Sequence, residues 1–526
     1  MIPSLGFSHV LAFVLLAVKS SASLSDYAPT LTDCPDSPLV RTFTSTSQVL
    51  SPSESNFVAS RESSIIPQSW QSWLGNGSAI GLRASQFGAG VISALDARNA
   101  TAVSADTGGL LQVATYLSGL SGGSWLTAGL YMNGFPMVQD MVLGSQPGWL
   151  LQEDLLERNG SQENVLNYYG AIDQSVDSKV AAGFNVTIGD GWARALSYHF
   201  LSGTNLSNFF DTSSHGAGQP WSQIANATYF TNYQAPFPLV VLNTNATFDL
   251  TTGSIPLDST VYEVSPFDFA SFEPDVSAAA ELSYIGTSLF EGLPIDNASC
   301  VTGFDQAGFV IGTSSNVAAS FLLTELAEVE LVQTLLGEPI KGESVQEAVV
   351  SKWPNPFWGI ASSTFVDSNN AELQLIDVDV IVAVDSNANT TDNWPNGLSL
   401  LVSAERLSTL LGDSHQQLPE FPSSTDDFVA QGLNLRPTLF GCNSTDTPLI
   451  IYLPNSPPLT GDAPFSNAPA NQLQFETNET QTILDQTYTN TVGGFVFNTN
   501  NPDPNWGGCL KCAAVDRSRF EGDTYD

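Results

Sequence analysis

A serine flanked by glycines constrains this chain more than any other feature. Residues 119–125 read Gly-Leu-Ser-Gly-Gly-Ser-Trp, so Ser121 stands in a G-x-S-x-G pattern. The apolar-leaning stretch Leu111–Leu120 precedes the pattern, and the helix-compatible stretch Leu126–Met132 follows it. This order is typical of a nucleophile elbow, a sharp strand-to-helix turn that presents the serine hydroxyl. Such a turn serves acyl transfer, because the N–H of Gly122 at the helix N-terminus can stabilise an oxyanion.

The elbow pattern alone does not establish an enzyme. The chain contains 42 glycines, so short patterns of small residues also arise by chance, and a turn without chemistry is the alternative. Composition narrows the choice of partner. With 15 Lys and Arg against 53 Asp and Glu, the formal net charge is −38, which opposes nucleic acid and strongly anionic bilayers.

The N-terminus is typical of a secretory signal peptide. Phe7–Val18 is an apolar run broken by Ser8 and His9, and the small residues Ser20–Ala22 follow as a cleavage site. We therefore assign residues 1–22 to a signal peptide, although no Lys or Arg precedes the run. The protein is expected to be secreted and extracellular, free or associated with the cell wall, with no transmembrane segment in the mature chain. Asn-x-Ser/Thr glycosylation sequons support this expectation and stand at Asn76, Asn99, Asn159, Asn185, Asn205, Asn226, Asn245, Asn297, Asn389, Asn443 and Asn478.

The cysteine pattern favours disulfides over metal chemistry. Cys509 and Cys512 have C-x-x-C spacing, but no second cysteine pair or nearby histidine completes a zinc site. We expect a structural disulfide near the C-terminus and neither a metal nor a cofactor. Because the count of five is odd, one cysteine is expected to be free or paired outside this chain.

Apolar segments alternate between strand-like and helix-like patterns. Leu239–Leu242 and Val378–Val384 are short β-branched runs, whereas Val317–Leu336 and Leu398–Leu411 carry apolar residues at helical spacing. This alternation predicts an α/β fold with a mostly parallel central sheet. No linker or repeat divides residues 23–526, so we expect a single domain there.

A serine nucleophile needs a base. In the order Ser…Asp…His, His415 is the histidine that follows both the elbow and the best acid candidate. That acid is Asp367, directly after Phe365 and Val366, where the end of a strand would present it. The residues alone leave both a triad with His415 and direct activation by Asp367 open.

Longer segments resemble a known family in the same order along nearly the whole mature chain. The chain resembles the fungal lysophospholipases, or phospholipase B enzymes, and more distantly the catalytic domain of the group IV cytosolic phospholipases and patatin. The segments that carry the resemblance are TYLSGLSGGSWLTAGLYMN, GWARALSYHFL, APFPLVVLNTN, YEVSPFDFASFEP, NASCVTGFDQAGFVIGTSS, PNPFWG, VDVDVIVAVDSNANTTDNWPNG and CLKCA.

The resemblance implies a three-layer α/β sandwich and a Ser–Asp dyad that hydrolyses fatty-acyl esters of phospholipids and lysophospholipids at micelle or membrane surfaces. It implies Ser121 as the nucleophile, Asp367 as the activating acid and Gly122 as an oxyanion donor. It also places Arg83 on the family's functional arginine, whose charged fork suits a lipid phosphate.

The chain departs from the family pattern beside two of these positions. The family writes Ser-Gly-Gly-Gly-Tyr-Arg where this chain has Gly81-Leu82-Arg83, and Gly-Gly follows the catalytic aspartate where this chain has Ser368-Asn369. These departures favour, as an alternative, a catalytically impaired secreted glycoprotein of the same fold or a shortened gene model. A Ser-His-Asp esterase is the third reading.

Overall fold

The computed structural model describes seventeen segments of the chain. They are residues 27–44, 47–65, 81–145, 147–156, 161–208, 218–244, 259–295, 299–316, 350–360, 370–376, 384–387, 389–411, 418–442, 447–459, 465–469, 472–494 and 501–513. The strands are β1 Thr30–Thr32, β2 Val40–Thr42, β3 Tyr116–Gly119, β4 Phe237–Thr244, β5 Val261–Val264, β6 Asp268–Ser271, β7 Ala278–Glu281, β8 Leu289–Phe290, β9 Leu293–Pro294, β10 Cys300–Thr302, β11 Ser351–Pro354, β12 Glu372–Ile376, β13 Val384–Asp385, β14 Thr438–Phe440 and β15 Ile450–Pro454.

Helices occupy much of the remaining described chain. They are α1 Pro52–Ser60, α2 Gly81–Leu95, α3 Ala100–Ser104, α4 Leu110–Val113, α5 Gly122–Met132, α6 Val138–Leu143, α7 Gln162–Ala181, α8 Ile188–Phe200, α9 Thr228–Thr231, α10 Ala307–Thr313, α11 Leu398–Arg406, α12 Thr425–Ala430 and α13 Thr477–Gly493. A further helix covers residues 506–513. No helix among the described segments has both the length and the apolar composition needed to span a bilayer.

The main sheet has eight strands in the order β11-β12-β4-β5-β6-β7-β2, and β3 also pairs with β4. Within the described residues β3 and β4 are parallel, and the other six pairings of this sheet are antiparallel. The expected α/β class therefore holds, but the mostly parallel sheet was wrong. Apolar runs do not reveal strand direction, and short connections such as residues 265–267 between β5 and β6 join antiparallel neighbours. The three-layer arrangement stays a prediction.

One face of the sheet carries the main core. Val240 and Leu242 of β4, Tyr262 of β5 and Phe269 of β6 are fully buried. The helices α5 and α10 pack on β4, and α8 packs against α10. Every residue of α8 and α10 is buried, so the charged side chains of Asp190 and Arg194 in α8 also lie in the interior.

A buried arginine fixes the parallel pair β3 and β4. Arg61, which follows α1 and is fully buried, donates to the carbonyls of Gln112 and Ala114 before β3 at 2.7 and 2.8 Å. It also donates to the carbonyls of Tyr233 and Ala235 before β4 at 2.5 and 2.6 Å. Burial lowers the pKa of Arg61 to about 10, so the guanidinium stays charged at neutral pH. The two parallel strands, of which β3 leads to the elbow, are thereby clamped at their amino ends.

Several predicted elements are present in the described chain. The run Leu239–Leu242 lies within β4, and Leu398–Leu411 forms α11 followed by a π-helical turn. The stretch Leu126–Met132 lies within α5. The predicted helix Val317–Leu336 and all but the last residue of the predicted strand Val378–Val384 lie outside the described residues.

The disulfide lies elsewhere than expected. Cys34 and Cys300 are bonded across 266 residues, next to the β1–β10 pairing. Cys442, Cys509 and Cys512 are free and exposed, so the expected disulfide near the C-terminus was wrong. Sequence spacing could not give this connectivity, because it depends on two remote segments meeting in the fold.

Candidate active site

Ser121 lies at the turn between β3 and α5, as the elbow pattern predicts. β3 ends at Gly119, α5 begins at Gly122, and Ser121 is the helix N-cap with φ 50° and ψ −124°. A positive φ is uncommon outside glycine, and such strain recurs at functional sites. Ser121 is 4 % exposed, and its side chain makes no capping bond within α5. The hydroxyl is therefore not used to stabilise its own helix.

Close packing around the Ser121 turn requires a glycine at position 119. A Cβ at Gly119 would collide with the hydroxyl of Thr127 and the carbonyl of Gly123. Thr127 in turn donates to that carbonyl at 3.0 Å. The close approach of β3 to the first turn of α5 thus depends on glycine at 119, which explains the first glycine of the pattern.

Ser314 holds the elbow on the sheet. The N–H of Ser121 donates to Ser314 Oγ at 3.1 Å, and Ser314 Oγ donates to the carbonyl of Val241 in β4 at 2.9 Å. Ser315 accepts the indole N–H groups of Trp125 and Trp192, each at 3.0 Å. Sequence reasoning missed both hydroxyls as site residues, because their partners lie more than 70 positions away along the chain.

The predicted acid and the alternative base lie outside the described residues. These are Asp367 and His415. The register of the sheet nevertheless locates the described chain on either side of Asp367. Ile376 of β12 pairs antiparallel with Asn243, near the carboxyl end of β4. The earlier residues of β12, back to Glu372, extend beyond that end of β4 and pair with β11. Residues 370–371 therefore lie beyond the carboxyl end of β4, whereas Phe357 packs back on Tyr262 and Phe269, with ring centroids 6.2 and 6.0 Å apart.

Arg83 is buried in the first turn of α2 and its guanidinium contacts the main chain. Nη1 donates to the carbonyls of Asn393 and Ala468 at 3.1 and 3.2 Å, and Nη2 donates to the carbonyl of Ser386. Burial lowers the pKa of Arg83 to about 10, while the nearby carboxylate of Asp385 opposes this shift. These contacts tie three segments to α2, and contact of Arg83 with a phosphate stays a prediction.

Asp385 is a buried carboxylate that sequence reasoning did not select. Its Oδ2 accepts from the hydroxyl of Tyr452 at 2.8 Å, and its Oδ1 accepts from the N–H of Asn387 at 3.0 Å. Both oxygens thus have partners that fix the carboxylate at the end of β13. Asp385 is therefore a charge partner near Arg83 rather than a free base.

Other polar groups in the described chain fit structural roles. His199 is buried in α8, and its Nδ1 lies 3.0 Å from the carbonyl of Ala195. No group of three or more His, Cys, Asp or Glu side chains in the described segments is placed to hold a metal ion.

Six of the predicted glycosylation sequons lie in described segments. The exposed ones are Asn185, Asn226, Asn389 and Asn478, whereas Asn99 and Asn205 are partly buried. Asn99 also caps α3 and donates to the carbonyl of Ser93 at 3.0 Å. The remaining sequons, Asn76, Asn159, Asn245, Asn297 and Asn443, lie outside the described residues.

The N–H of Gly122 is the predicted oxyanion donor at the elbow. Gly122 is the first residue of α5, so its N–H has no acceptor four residues back within the helix. The helix dipole adds positive potential at the same point. A strained serine beside such an N–H suits covalent acyl transfer, in which a tetrahedral oxyanion develops next to the nucleophile.

Comparison with known proteins identifies the family of the chain. The model of the lysophospholipase catalytic domain family matches residues 76–377 and 372–523, so the chain belongs to this family. Lysophospholipase 1 of Aspergillus fumigatus is 37% identical in an alignment of 474 residues that covers 83% of this chain and 71% of that protein. Lysophospholipase 3 of the same organism is 35% identical over 484 residues, 84% of this chain and 73% of that protein.

A solved structure supports the fold independently of sequence. Human GIVD cytosolic phospholipase A2 superimposes with a TM-score of 0.63 at 16% identity, over 93% of this chain and 69% of that one. At this identity the likeness establishes the fold, which matches the expected cytosolic-phospholipase-like architecture.

Proposed function

We propose that this protein is a secreted lysophospholipase that hydrolyses fatty-acyl esters of lysophospholipids and phospholipids through an acyl-enzyme. The observation that carries the proposal is the strained, buried Ser121 between β3 and α5 in a chain of the lysophospholipase catalytic domain family. Exposed sequons and the Cys34–Cys300 disulfide support an extracellular location.

In the proposed reaction, Ser121 Oγ attacks the ester carbonyl while Asp367 takes its proton. The N–H of Gly122 stabilises the tetrahedral oxyanion, and the lysophospholipid or glycerophospho-alcohol leaves with a proton returned by Asp367. Water, activated by the same carboxylate, then releases the fatty acid from Ser121. Arg83 is assigned to the lipid phosphate, and its bonds to main-chain carbonyls support a second, structural role for it.

The first test is covalent labelling of the full mature chain with a fluorophosphonate. We expect label on Ser121 alone, because the elbow strains and presents this hydroxyl whereas other serines lack a base. Peptide mass spectrometry locates the label, and Ser121→Ala should abolish it. Ser124→Ala is the matched control, since Ser124 lies one turn away and bonds the carbonyl of Ser121 at 2.5 Å. Label that persists in Ser121→Ala would disprove the assignment of the nucleophile.

The second test separates the dyad from a triad. Asp367→Asn should lower the rate of labelling and of lysophosphatidylcholine hydrolysis by orders of magnitude, because the amide cannot accept the serine proton. His415→Ala should change both rates by no more than a few-fold. A loss in His415→Ala as large as the loss in Ser121→Ala would establish the Ser-His-Asp esterase instead.

A second candidate function follows from the shortened connections beside Arg83 and Asp367. The sequence has Ile80-Gly81-Leu82 directly before Arg83, without the run of glycines that the family pattern has there for further oxyanion donors. A non-catalytic glycoprotein of the same fold would bind fluorophosphonate slowly or not at all and would leave lysophosphatidylcholine intact.

A further inference from the structure

A polar cleft of about 190 Å³ lies among the helices α2, α3, α6 and α13. Val138 and Leu484, both buried, are its apolar lining residues. The other lining residues in the described chain are polar and are Ser93, Asn99, Thr101, Gln139, Asp485 and Tyr488. Hydroxyl, amide and carboxylate groups around a small apolar patch suit a ligand that is rich in hydroxyl groups. We call this site the Asn99 cleft.

The walls of the Asn99 cleft are held by direct packing. The helices α2 and α13 approach so closely that a Cβ at Gly90 would come within 2.7 Å of the Cβ of Thr487. Gln139 of α6 donates to Gln481 of α13 at 3.4 Å, and Gln481 donates to Asp485 at 2.7 Å. The cleft is therefore a formed depression between packed helices rather than a gap beside a loop.

Asn99 forms part of the cleft wall and also begins the glycosylation sequon Asn99-Ala100-Thr101. Its Oδ1 accepts from the N–H groups of Thr101 and Ala102 at 3.1 and 3.4 Å and so caps α3. Its Nδ2 donates to the carbonyl and the hydroxyl oxygen of Ser93 at 3.0 and 3.2 Å. An N-linked sugar is attached to Nδ2, so the cap by Oδ1 survives. Both acceptors of Nδ2 belong to Ser93, so one N–H serves both and a sugar can replace the other hydrogen.

Tyr488 contributes an unsatisfied hydroxyl to the same cleft. Its Oη is buried beside Thr101, yet it makes no hydrogen bond of normal length and angle with the described chain. A buried hydroxyl without a partner costs free energy, and such groups are rare in folded proteins. A polar group of a ligand in the cleft would satisfy it.

The charges at the cleft favour a neutral ligand. The described lining includes no Lys or Arg. The guanidinium of Arg98, next to Asn99 in the chain, instead bonds the carboxylate of Asp96 at 2.7 Å and the carbonyl of Phe135 at 2.8 Å. An anion in the cleft would therefore meet the carboxylate of Asp485 without a cation to bind it. A neutral sugar attached to Asn99 matches this lining and is already tethered at the cleft.

We propose that Asn99 carries an N-linked glycan whose first sugar, an N-acetylhexosamine, occupies the Asn99 cleft and fastens α3 to α13. Nδ2 forms a bond to C1 of the sugar, the bond from C1 to the diphosphate oxygen of a polyprenyl carrier breaks, and Nδ2 loses one proton. The hydroxyl and acetamido groups of the sugar then satisfy the hydroxyl of Tyr488. This inference rests on the proposed secreted location, because the sugar is added on the secretory route.

The first experiment maps the glycans on the full mature chain secreted from a eukaryotic host. Peptide mass spectrometry should find Asn99 occupied. In the native protein, a peptide N-glycosidase should release the glycan of Asn99 about tenfold more slowly than that of the exposed Asn226, because the sugar must first leave the cleft. The difference should vanish after unfolding. Asn226 is the matched site, since its sequon has the same sequence, Asn-Ala-Thr.

The second experiment tests whether the sugar binds the cleft. Thr101→Ala removes the sequon and should lower the melting temperature by about 2 °C or more, whereas Thr101→Ser keeps the sequon and should melt as the parent does. Tyr488→Phe should destabilise Thr101→Ser but not Thr101→Ala, because without the sugar the hydroxyl has no partner to lose. Thr228→Ala removes the exposed glycan of Asn226 and should leave the melting temperature unchanged.

An occupied Asn226 beside an unoccupied Asn99 would overturn this proposal. So would equal rates of release at the two sites, or an effect of Tyr488→Phe that is the same with and without the sugar, since the cleft would then hold water alone. In these cases hydrolysis of lysophosphatidylcholine by the parent would still support the proposed enzyme. A secreted chain with no occupied sequon would refute this inference, and the expected glycan results without hydrolysis would refute the proposed enzyme alone.

Discussion

Ser314 and Ser315 are neighbouring hydroxyls with separate tasks at the elbow. Ser314 Oγ accepts the N–H of Ser121 and donates to the carbonyl of Val241, so it ties the backbone of Ser121 to β4. Ser315 Oγ instead satisfies the indoles of Trp125 and Trp192. Both are fully buried, so losing either leaves polar groups without partners.

Ser314→Ala should slow the reaction of Ser121 with a fluorophosphonate about tenfold, because the strained backbone at 121 loses its external hydrogen bond. We expect a lower melting temperature as well, since each orphaned buried group costs about 1–3 kcal/mol. Ser315→Ala is the matched control, with a similar loss of stability but an unchanged labelling rate. If both variants lose stability and neither loses labelling, Ser314 is not a positioning residue.

At the scale of elements, the packing of α1 on the sheet brings carboxyl groups together. Glu54 of α1, Glu263 of β5 and Asp268 of β6 line one small cavity, which also contains Arg41 of β2. Arg41 pairs with Asp268 at 2.7 Å, and Glu54 accepts from the hydroxyl of Tyr116 at 2.9 Å. Burial and, secondarily, the neighbouring Glu54 raise the pKa of Glu263 to about 7. Burial raises the pKa of Glu54 too.

The protonation of Glu263 makes the stability of this interface depend on pH. The carboxyl ionises near 4.5 in the unfolded chain and near 7 in the folded one, so the native state binds more protons between these values. The free energy of unfolding should therefore fall as pH rises from about 4.5 to about 7. In Glu263→Gln this decline should be smaller. Thermal scans across that pH range should show a drop in melting temperature that is a few degrees smaller than in the parent protein.

The control for this prediction is Glu281→Gln, because Glu281 lies on β7 of the same sheet outside the cavity. It should keep the slope of the parent protein, including the part that arises from the large overall negative charge. Identical slopes for the parent and Glu263→Gln would show that this carboxyl is already ionised in the folded protein.

At the scale of the whole molecule, we expect catalytic activity to depend on the loops beside Arg83 and Asp367 as well as on the sheet and the helices. The sheet, α2 and the elbow are all present, but the sequence before Arg83 reads Ile80-Gly81-Leu82, without the glycine run of the family pattern. A second oxyanion donor next to Gly122 would have to come from this connection. The residues that the family pattern has here are glycines, which permit close approach of backbone to a substrate oxygen.

The unmodified chain should therefore turn over lysophosphatidylcholine slowly. Restoring the glycine-rich turn between Gly81 and Arg83, with the Gly-Gly connection after Asp367, should raise kcat about 100-fold or more, since one lost donor costs that much. Both proteins are first shown to be folded by circular dichroism and thermal melts.

A matched insertion of two glycines after Gly183, an exposed turn residue with φ 93°, controls for added length. It should leave turnover unchanged. Robust turnover by the unmodified chain that Ser121→Ala abolishes would show that the shortened connections already build a working oxyanion hole.

The amino-acid sequence by itself determined the local features of this protein. The elbow at Ser121, the strand over Leu239–Leu242 and the helix at Leu398 follow from residue size, branching and spacing within about ten positions. The resemblance of many segments in the same order along the chain identified the protein family. A single short motif is not specific enough to do so.

Only the tertiary structure decided which remote groups meet. The mixed, mostly antiparallel sheet, the Cys34–Cys300 bond, the hydrogen bond between Ser314 and Ser121 and the carbonyls around Arg83 all join residues far apart in the chain. Strand direction, disulfide partners and buried hydrogen bonds depend on how the whole core packs and on the need of every buried polar group for a partner. No local pattern of residue types encodes those choices.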